Sequence, residues 1–211
     1  MRQIQTDLWE TAPYDPMPGL TTHAYLFAAD EGNVLFYNTG HAGEIDAMAE
    51  LGGVQLHYLS HQDELGDTIR TIRERFRARL GGHIRERESF ARYCLPDILF
   101  DEREWHGGRI EVIPTPGHSP GSTCFRVRSA TGKTYLFTGD TLFLDREGRW
   151  RAGYISGYSE REPLAESLRL LRGLAPDLVV SSAAPSGVGF QELTPESWPE
   201  LVNQALQRLP A

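Results

Sequence analysis

Pro114-Thr115-Pro116-Gly117-His118-Ser119-Pro120-Gly121-Ser122-Thr123 is the stretch on which the fold is decided. It separates two runs with strand character. Ile110-Glu111-Val112-Ile113 is apolar with one acid, and Cys124-Phe125-Arg126-Val127-Arg128 alternates cleanly. The prolines and glycines between them set a tight loop carrying a single imidazole. A histidine on a rigid loop at a strand end is placed either to hold a metal or to bond a backbone carbonyl. Two other stretches bear on the choice. Upstream, Val54-Gln55-Leu56-His57-Tyr58-Leu59-Ser60 reads as a strand, followed by the polar loop His61-Gln62-Asp63-Glu64-Leu65-Gly66-Asp67. Downstream, Thr134-Tyr135-Leu136-Phe137-Thr138 reads as a strand ending in Gly139-Asp140. Three strands thus end in turns that carry His or Asp, and in α/β folds such ends converge on sites.

The chain has 211 residues, room for one sizeable core, and a single domain over residues 1–211 is expected. A formal net charge of −8 argues against nucleic acid as a partner, since phosphate binding wants a basic surface. The two cysteines, Cys94 and Cys124, form neither a metal-type pair nor a disulfide framework, and both read as packing residues. The first residues show no signal-peptide core and no run reaches membrane-span length. A cytoplasmic protein that meets neither membrane nor nucleic acid is the expectation.

Residues 4–10 read as a first strand, 12–19 as a proline-rich loop, and 21–28 and 33–38 as strands joined by the turn Asp30-Glu31-Gly32. A short helix is expected over 44–51, closed by Gly52-Gly53. Ile69, Ile72, Phe76 and Leu80 recur at helical spacing and predict one helix ending at Gly81-Gly82. Eight arginines between Arg70 and Arg92 read as a solvated face or as a docking surface for an anion. Residues 95–105 read as a surface excursion and 145–151 as a charged loop. Ser159 and Glu162 have capping-box spacing, opening a helix with Leu164, Leu168, Leu171 and Leu174 on its buried side. Residues 178–182 read as a buried strand, and a last helix begins near 194–198 and runs to 209. Strands then helix, twice over, suits two sheets packed face to face with helices outside.

This order of motifs resembles the metallo-β-lactamase superfamily, in particular its small glyoxalase-II-like hydrolases, over about residues 22–186. The resemblance implies an α/β fold, a four-layer αββα sandwich with metals at one edge. The piece carrying it is Thr115-Pro116-Gly117-His118-Ser119-Pro120-Gly121-Ser122 joined to Leu136-Phe137-Thr138-Gly139-Asp140. Elsewhere the chain departs from the pattern. Asn38-Thr39-Gly40 stands for Asp-Thr-Gly. Ser60-His61 matches the opening Thr-His, but Asp63 takes the place of the second His. Leu65-Gly66 replaces the following Asp-His, with Asp67 two residues on. Alanines at 183 and 184 stand where a late His would fall.

The resemblance therefore implies a reduced metal site of His61, Asp63, His118 and Asp140, holding one divalent ion (zinc, iron or manganese), with a second site weak or absent. A carboxylate at position 63 is similar to the iron-favouring flavodiiron branch. Asp63 and Asp67 are the expected proton-handling residues. Each acid has an ordinary reading too, since Asp63 and Asp67 suit a helix start. His23 and His83 are the substitute ligands to consider, and His41, His57 and His106 read as ordinary. The expected function is hydrolysis of a small ester, thioester or lactone. The alternatives are a non-catalytic relic that binds a ligand or partner, and oxygenase chemistry at a single iron.

Overall fold

The computed structural model describes residues 1–194 and 196–210. Short apolar runs, punctuated by glycine and proline, build strands first: β1 (Arg2–Gln5), β2 (Leu8–Glu10), β3 (Tyr14–Met17), β4 (Leu20–Thr22), β5 (Tyr25–Phe27) and β6 (Val34–Phe36). Then come α1 (Ala42–Glu50), β7 (Leu56–Tyr58), α2 (Thr68–Phe76), β8 (Arg79–His83), α3 (Arg87–Phe90) and β9 (Ile98–Phe100). The second half runs β10 (Glu104–His106), β11 (Ile110–Pro114), β12 (Thr123–Arg128), β13 (Thr134–Gly139), β14 (Leu142–Leu144) and β15 (Trp150–Ala152). It closes with α4 (Arg161–Arg172), β16 (Leu178–Ser181), β17 (Phe190–Glu192) and α5 (Trp198–Gln207).

A seven-stranded sheet has the order β1-β2-β5-β6-β7-β8-β9, and a six-stranded sheet the order β10-β11-β12-β13-β16-β17. The inner faces meet through aromatic rings. Phe36 stacks on Phe137 with centroids 4.1 Å apart and leans on Phe125 at 5.2 Å. Each ring, fully buried, contributes about 2–3 kcal/mol of hydrophobic stabilisation. Alternation sends Cys124, Leu136 and Val179 outward, where they pack with Leu164 and Leu168 of α4 and Val202 of α5. On the far side, Ile69 of α2 and Phe90 of α3 cluster with Leu80. Helix, sheet, sheet, helix is the αββα sandwich. Burial pushes the Cys124 thiol up to about 12, so it stays neutral and packs.

Several local expectations are corrected. The helix predicted to reach Leu80 stops at Phe76, because Arg77 takes the left-handed conformation (φ 55°) and Leu80-Gly81-Gly82 lies in β8. A Cβ on Gly81 would come within 2.6 Å of Phe100 and 2.7 Å of Tyr58, so these glycines admit rings rather than end a helix. The proline-rich 12–19 segment is half of a hairpin, β3 with β4. Residues 4–10 are two strands turning at Thr6-Asp7. Residues 95–105 include β9 and the start of β10, each hydrogen-bonded to a sheet edge. Ser159 does not cap α4, whose N-cap is Glu160 without a side-chain bond. The last helix starts at Trp198, and position 195 of its expected approach lies outside the described residues.

Tyr37 holds the two sheets together beneath the strand ends. Its hydroxyl donates to the Val180 carbonyl (2.9 Å) and accepts from Gly139 N (2.8 Å). Its own backbone is left-handed (φ 65°), and His57 Nε2 donates to its carbonyl at 2.8 Å. Burial lowers the His57 pKa to about 4, although this bond opposes the shift. The folded value lies below the unfolded one of about 6.5, so the unfolded chain binds the extra proton. Stability is therefore undiminished above pH 6.5 and falls as pH drops toward 4, by about 3 kcal/mol in all. Denaturant titrations at pH 7.5 and pH 4 are expected to show His57→Gln losing less stability than wild type by about that amount; equal losses would refute the assignment.

Candidate metal centre

The site forms where both sheets end. His61 follows β7 of the first sheet, while His118 lies in the β11–β12 loop and Asp140 follows β13, both of the second. Thr123 N donates to Ser60 O (2.8 Å), joining the two sheets at this edge.

His61 is buried, and its Nδ1 faces Ser60 Oγ (2.9 Å) and Glu64 Oε1 (3.3 Å). Glu64 is itself fixed by Ser60 N at 2.9 Å. A carboxylate on Nδ1 keeps a proton there and turns Nε2 into the site. His118 is arranged the same way by another partner: its Nδ1 donates to Gly153 O at 2.7 Å. His118 Nε2 is buried and has no hydrogen-bond partner among the described residues. The two rings stand edge to face, 4.8 Å between centroids.

The carboxylates complete the ring of donors. Asp63 Oδ2 is 3.4 Å from His118 Nε2 and 3.9 Å from His61 Nε2, and Asp140 Oδ2 is 3.6 Å from His61 Nε2. Each carboxylate has its other oxygen occupied: Tyr158 OH donates to Asp63 Oδ1 (2.8 Å), and Ala183 N to Asp140 Oδ1 (3.0 Å). Burial pulls the His61 pKa down, but Asp140, Glu64 and Asp63 outweigh it and hold it up at about 10. Burial likewise raises the Asp63 pKa, and the neighbouring His118 and His61 imidazoles together with the Tyr158 bond reverse it to a net lowering. Carboxylate charge and two inward-facing Nε2 atoms thus converge at this edge, and a bound cation would take the place of the His61 proton. A tetrahedral shell with metal–donor distances of ~2.0–2.1 Å sets its donors ~3.3 Å apart, close to the spacing here. The residues fit a divalent ion.

Among the described residues, His61, Asp63 and His118 present ligand atoms all within 4.8 Å of one another. Asp140 stands beside them through His61. Asp67 lines the adjoining cavity of about 330 Å³ with His61, Asp63 and Asp140, and makes no capping bond to α2. His83 and His23 lie outside the group. His83 Nδ1 accepts from Arg85 N, and His23 Nδ1 donates to Thr11 O.

Four supporting residues have no functional reading in the sequence. Glu64 shares the polar loop with His61, and the pairing of acid and imidazole at that spacing is the available signal. Tyr158 meets Asp63 from 95 residues away and leans its ring on His118 (5.8 Å). Glu86, buried, accepts from Gly121 N (3.0 Å) and Ser119 Oγ and so pins the His118 loop. Gly153 supplies the carbonyl for His118. Glu64→Gln is expected to weaken metal binding about 10–100-fold while the protein stays folded, read by competition against a chromophoric chelator; unchanged affinity would deny Glu64 this role.

The family model described as "Metallo-beta-lactamase superfamily" matches residues 37–183. The chain belongs to the metallo-beta-lactamase superfamily. A hydroxyacylglutathione hydrolase from Aeromonas salmonicida (strain A449) is 29% identical over 174 residues, 79% of this chain and 63% of the relative. The chain thus spans a little under two thirds of that relative's length. Solved structures share the fold. A metallo-beta-lactamase from Pontibacter korlensis has a TM-score of 0.74 at 17% identity, covering 98% of each chain. One from Cronobacter sakazakii, described by its HARLDQ motif, has 0.65 at 17%, covering 94% of this chain and 93% of that one. A metallo-beta-lactamase family protein from Thermus thermophilus has 0.67 at 18%, covering 97% and 80%. Within the superfamily frame, the departures at 63 and 183 are local. Asp63 offers an oxygen where a second imidazole is usual, and at 183 the main-chain amide holds Asp140.

Proposed function

We propose that this protein is a metal-dependent hydrolase of a small ester, thioester or lactone, working with one divalent ion held by His61, Asp63, His118 and Asp140. The observation that carries the reading is the buried, unpartnered His118 Nε2 facing Asp63 Oδ2 at 3.4 Å and sharing the site with His61 Nε2. Two buried imidazoles with Nδ1 tied back and Nε2 turned toward carboxylates are the arrangement a cation site requires. A bound divalent ion supplies Lewis acidity and a water whose pKa falls to about 7.

The chain's own residues do the rest. Tyr158 and the Ala183 amide occupy one oxygen each of Asp63 and Asp140, so each acid offers the site a single oxygen. Among the described residues the compact donor group is His61, Asp63 and His118 with Asp140 beside it, a set of four donors sized for one ion. Asp63 and Asp67 both line the cavity, and we assign them the handling of protons between water and the leaving group. Both cysteines are free, and no described helix is long and apolar enough to cross a membrane.

The test is metal analysis of protein loaded with zinc, manganese or anaerobic ferrous iron, with turnover of a panel of small esters, thioesters and lactones. One equivalent of metal and metal-dependent hydrolysis are expected. Substoichiometric metal after every loading, or oxygen uptake without hydrolysis, would sink the proposal.

A further inference from the structure

We infer that the cavity beside the metal ligands selects uncharged or amine-bearing acyl compounds and discriminates against those carrying carboxylates. This deepens the proposed hydrolysis and rests on the site assigned to it. Among the described residues the cavity wall holds four carboxylates, Asp63, Glu64, Asp67 and Asp140, and neither Arg nor Lys. One divalent ion neutralises two of those charges. The rest of the wall includes Tyr14, Leu20 and Leu65, of which Tyr14 and Leu20 come from the β3–β4 hairpin.

The neighbouring arginines are engaged elsewhere. Arg146, which reaches the same hairpin, binds the Gly19 carbonyl at its turn. Arg73 pairs with Asp97, Arg75 with Asp46, and Arg70 binds the Tyr93 carbonyl. At ~6 Å and an effective dielectric of ~40, each uncompensated carboxylate weakens binding of a substrate carboxylate about tenfold. A glutathione conjugate carries two carboxylates and one ammonium. The name of the Aeromonas relative therefore does not transfer its thiol to this cavity, whatever acyl chemistry the two share. The acidic wall instead favours an apolar acyl body whose remaining groups are neutral or cationic.

The experiment compares S-hexylglutathione with S-hexyl-N-acetylcysteamine, which are non-hydrolysable thioethers with the same tail. Their binding to the zinc-loaded full chain is read by calorimetry at low salt and in 0.5 M NaCl. The neutral compound is expected to bind at least tenfold tighter, and the ratio to shrink in salt because screening weakens the repulsion. Leu20→Lys, compared at saturating zinc, is expected to narrow the ratio several-fold. Binding of neither compound, equal or tighter binding of the glutathione compound, or a ratio that ignores both salt and Leu20→Lys would overturn the inference. Turnover of S-lactoyl-N-acetylcysteamine and S-lactoylglutathione is measured in parallel. Absence of hydrolysis for both and for the whole panel of esters and lactones would refute the hydrolase reading and leave the binding ratio to decide charge selection.

Discussion

His118→Ala is expected to give a folded protein that has lost its metal. The loop carrying His118 is held by contacts that do not involve the imidazole. Glu160 N donates to Gly117 O (2.8 Å), Ser167 Oγ to Pro116 O (2.8 Å), and Glu86 grips Gly121 and Ser119. The Gly153 carbonyl, left by His118 Nδ1, retains Ser159 Oγ at 3.4 Å. Stability of the metal-free variant should therefore stay near that of the metal-free parent. Metal affinity should fall by more than the ~10²-fold that a supporting residue can cost, because a proposed direct donor is gone. Turnover should drop to background with it. Chelator competition, thermal melts with and without zinc, and the hydrolysis assay read all three quantities. A variant that still binds zinc as tightly as the parent would remove His118 from the site.

Gly153→Ala is expected to damage both fold and site, although the residue binds nothing through a side chain. Its carbonyl orients His118, and its Cα lies against the chain that carries Asp140. A Cβ would overlap the Asp140 carbonyl oxygen and sit 3.0 Å from His118 Nδ1. Backbone cannot rotate aside as a flexible side chain does, so either Asp140 or the Gly153 peptide must move. Overpacking of this kind costs about 1–3 kcal/mol, and displacement of two proposed ligands together should lower metal affinity at least ~10-fold. Gly148→Ala is the control. It has open space around its Cα and a φ of 72°, so it should cost about 1 kcal/mol of strain and leave metal binding unchanged. Equal effects of the two substitutions on metal binding would refute the close-approach argument.

The legible parts of this molecule are those that local chemistry determines. The His118 loop, the Gly-Asp strand end and the alternation across 124–128 each announce themselves within ten residues, and together they imply the sandwich. His61, Asp63, His118 and Asp140 stand at strand ends in the sequence, and the structure brings all four to one edge. What stays hidden depends on partners distant in sequence. Gly81 and Gly82 follow a helical pattern, and nothing nearby reveals that the rings of Phe100, Tyr58 and Phe90 need their space. Ser159 has capping-box spacing, yet its hydroxyl goes to the His118 carbonyl at 2.9 Å. The 14–22 hairpin is concealed by its prolines. Tyr158 looks like any surface-loop tyrosine until the fold delivers it to Asp63.

The prospective ligands are split between the two halves of the sandwich: His61 rides on one, and His118 and Asp140 on the other. An ion seated among them would act as a rivet through the seam, joining slabs that otherwise meet there through Tyr37 and a few main-chain bonds. Stripping the ion should therefore loosen the joint before it loosens either slab. Amide exchange should quicken first at the strand tips bearing His61 and Asp140, while the aromatic interior around Phe36 and Phe137 keeps its protection.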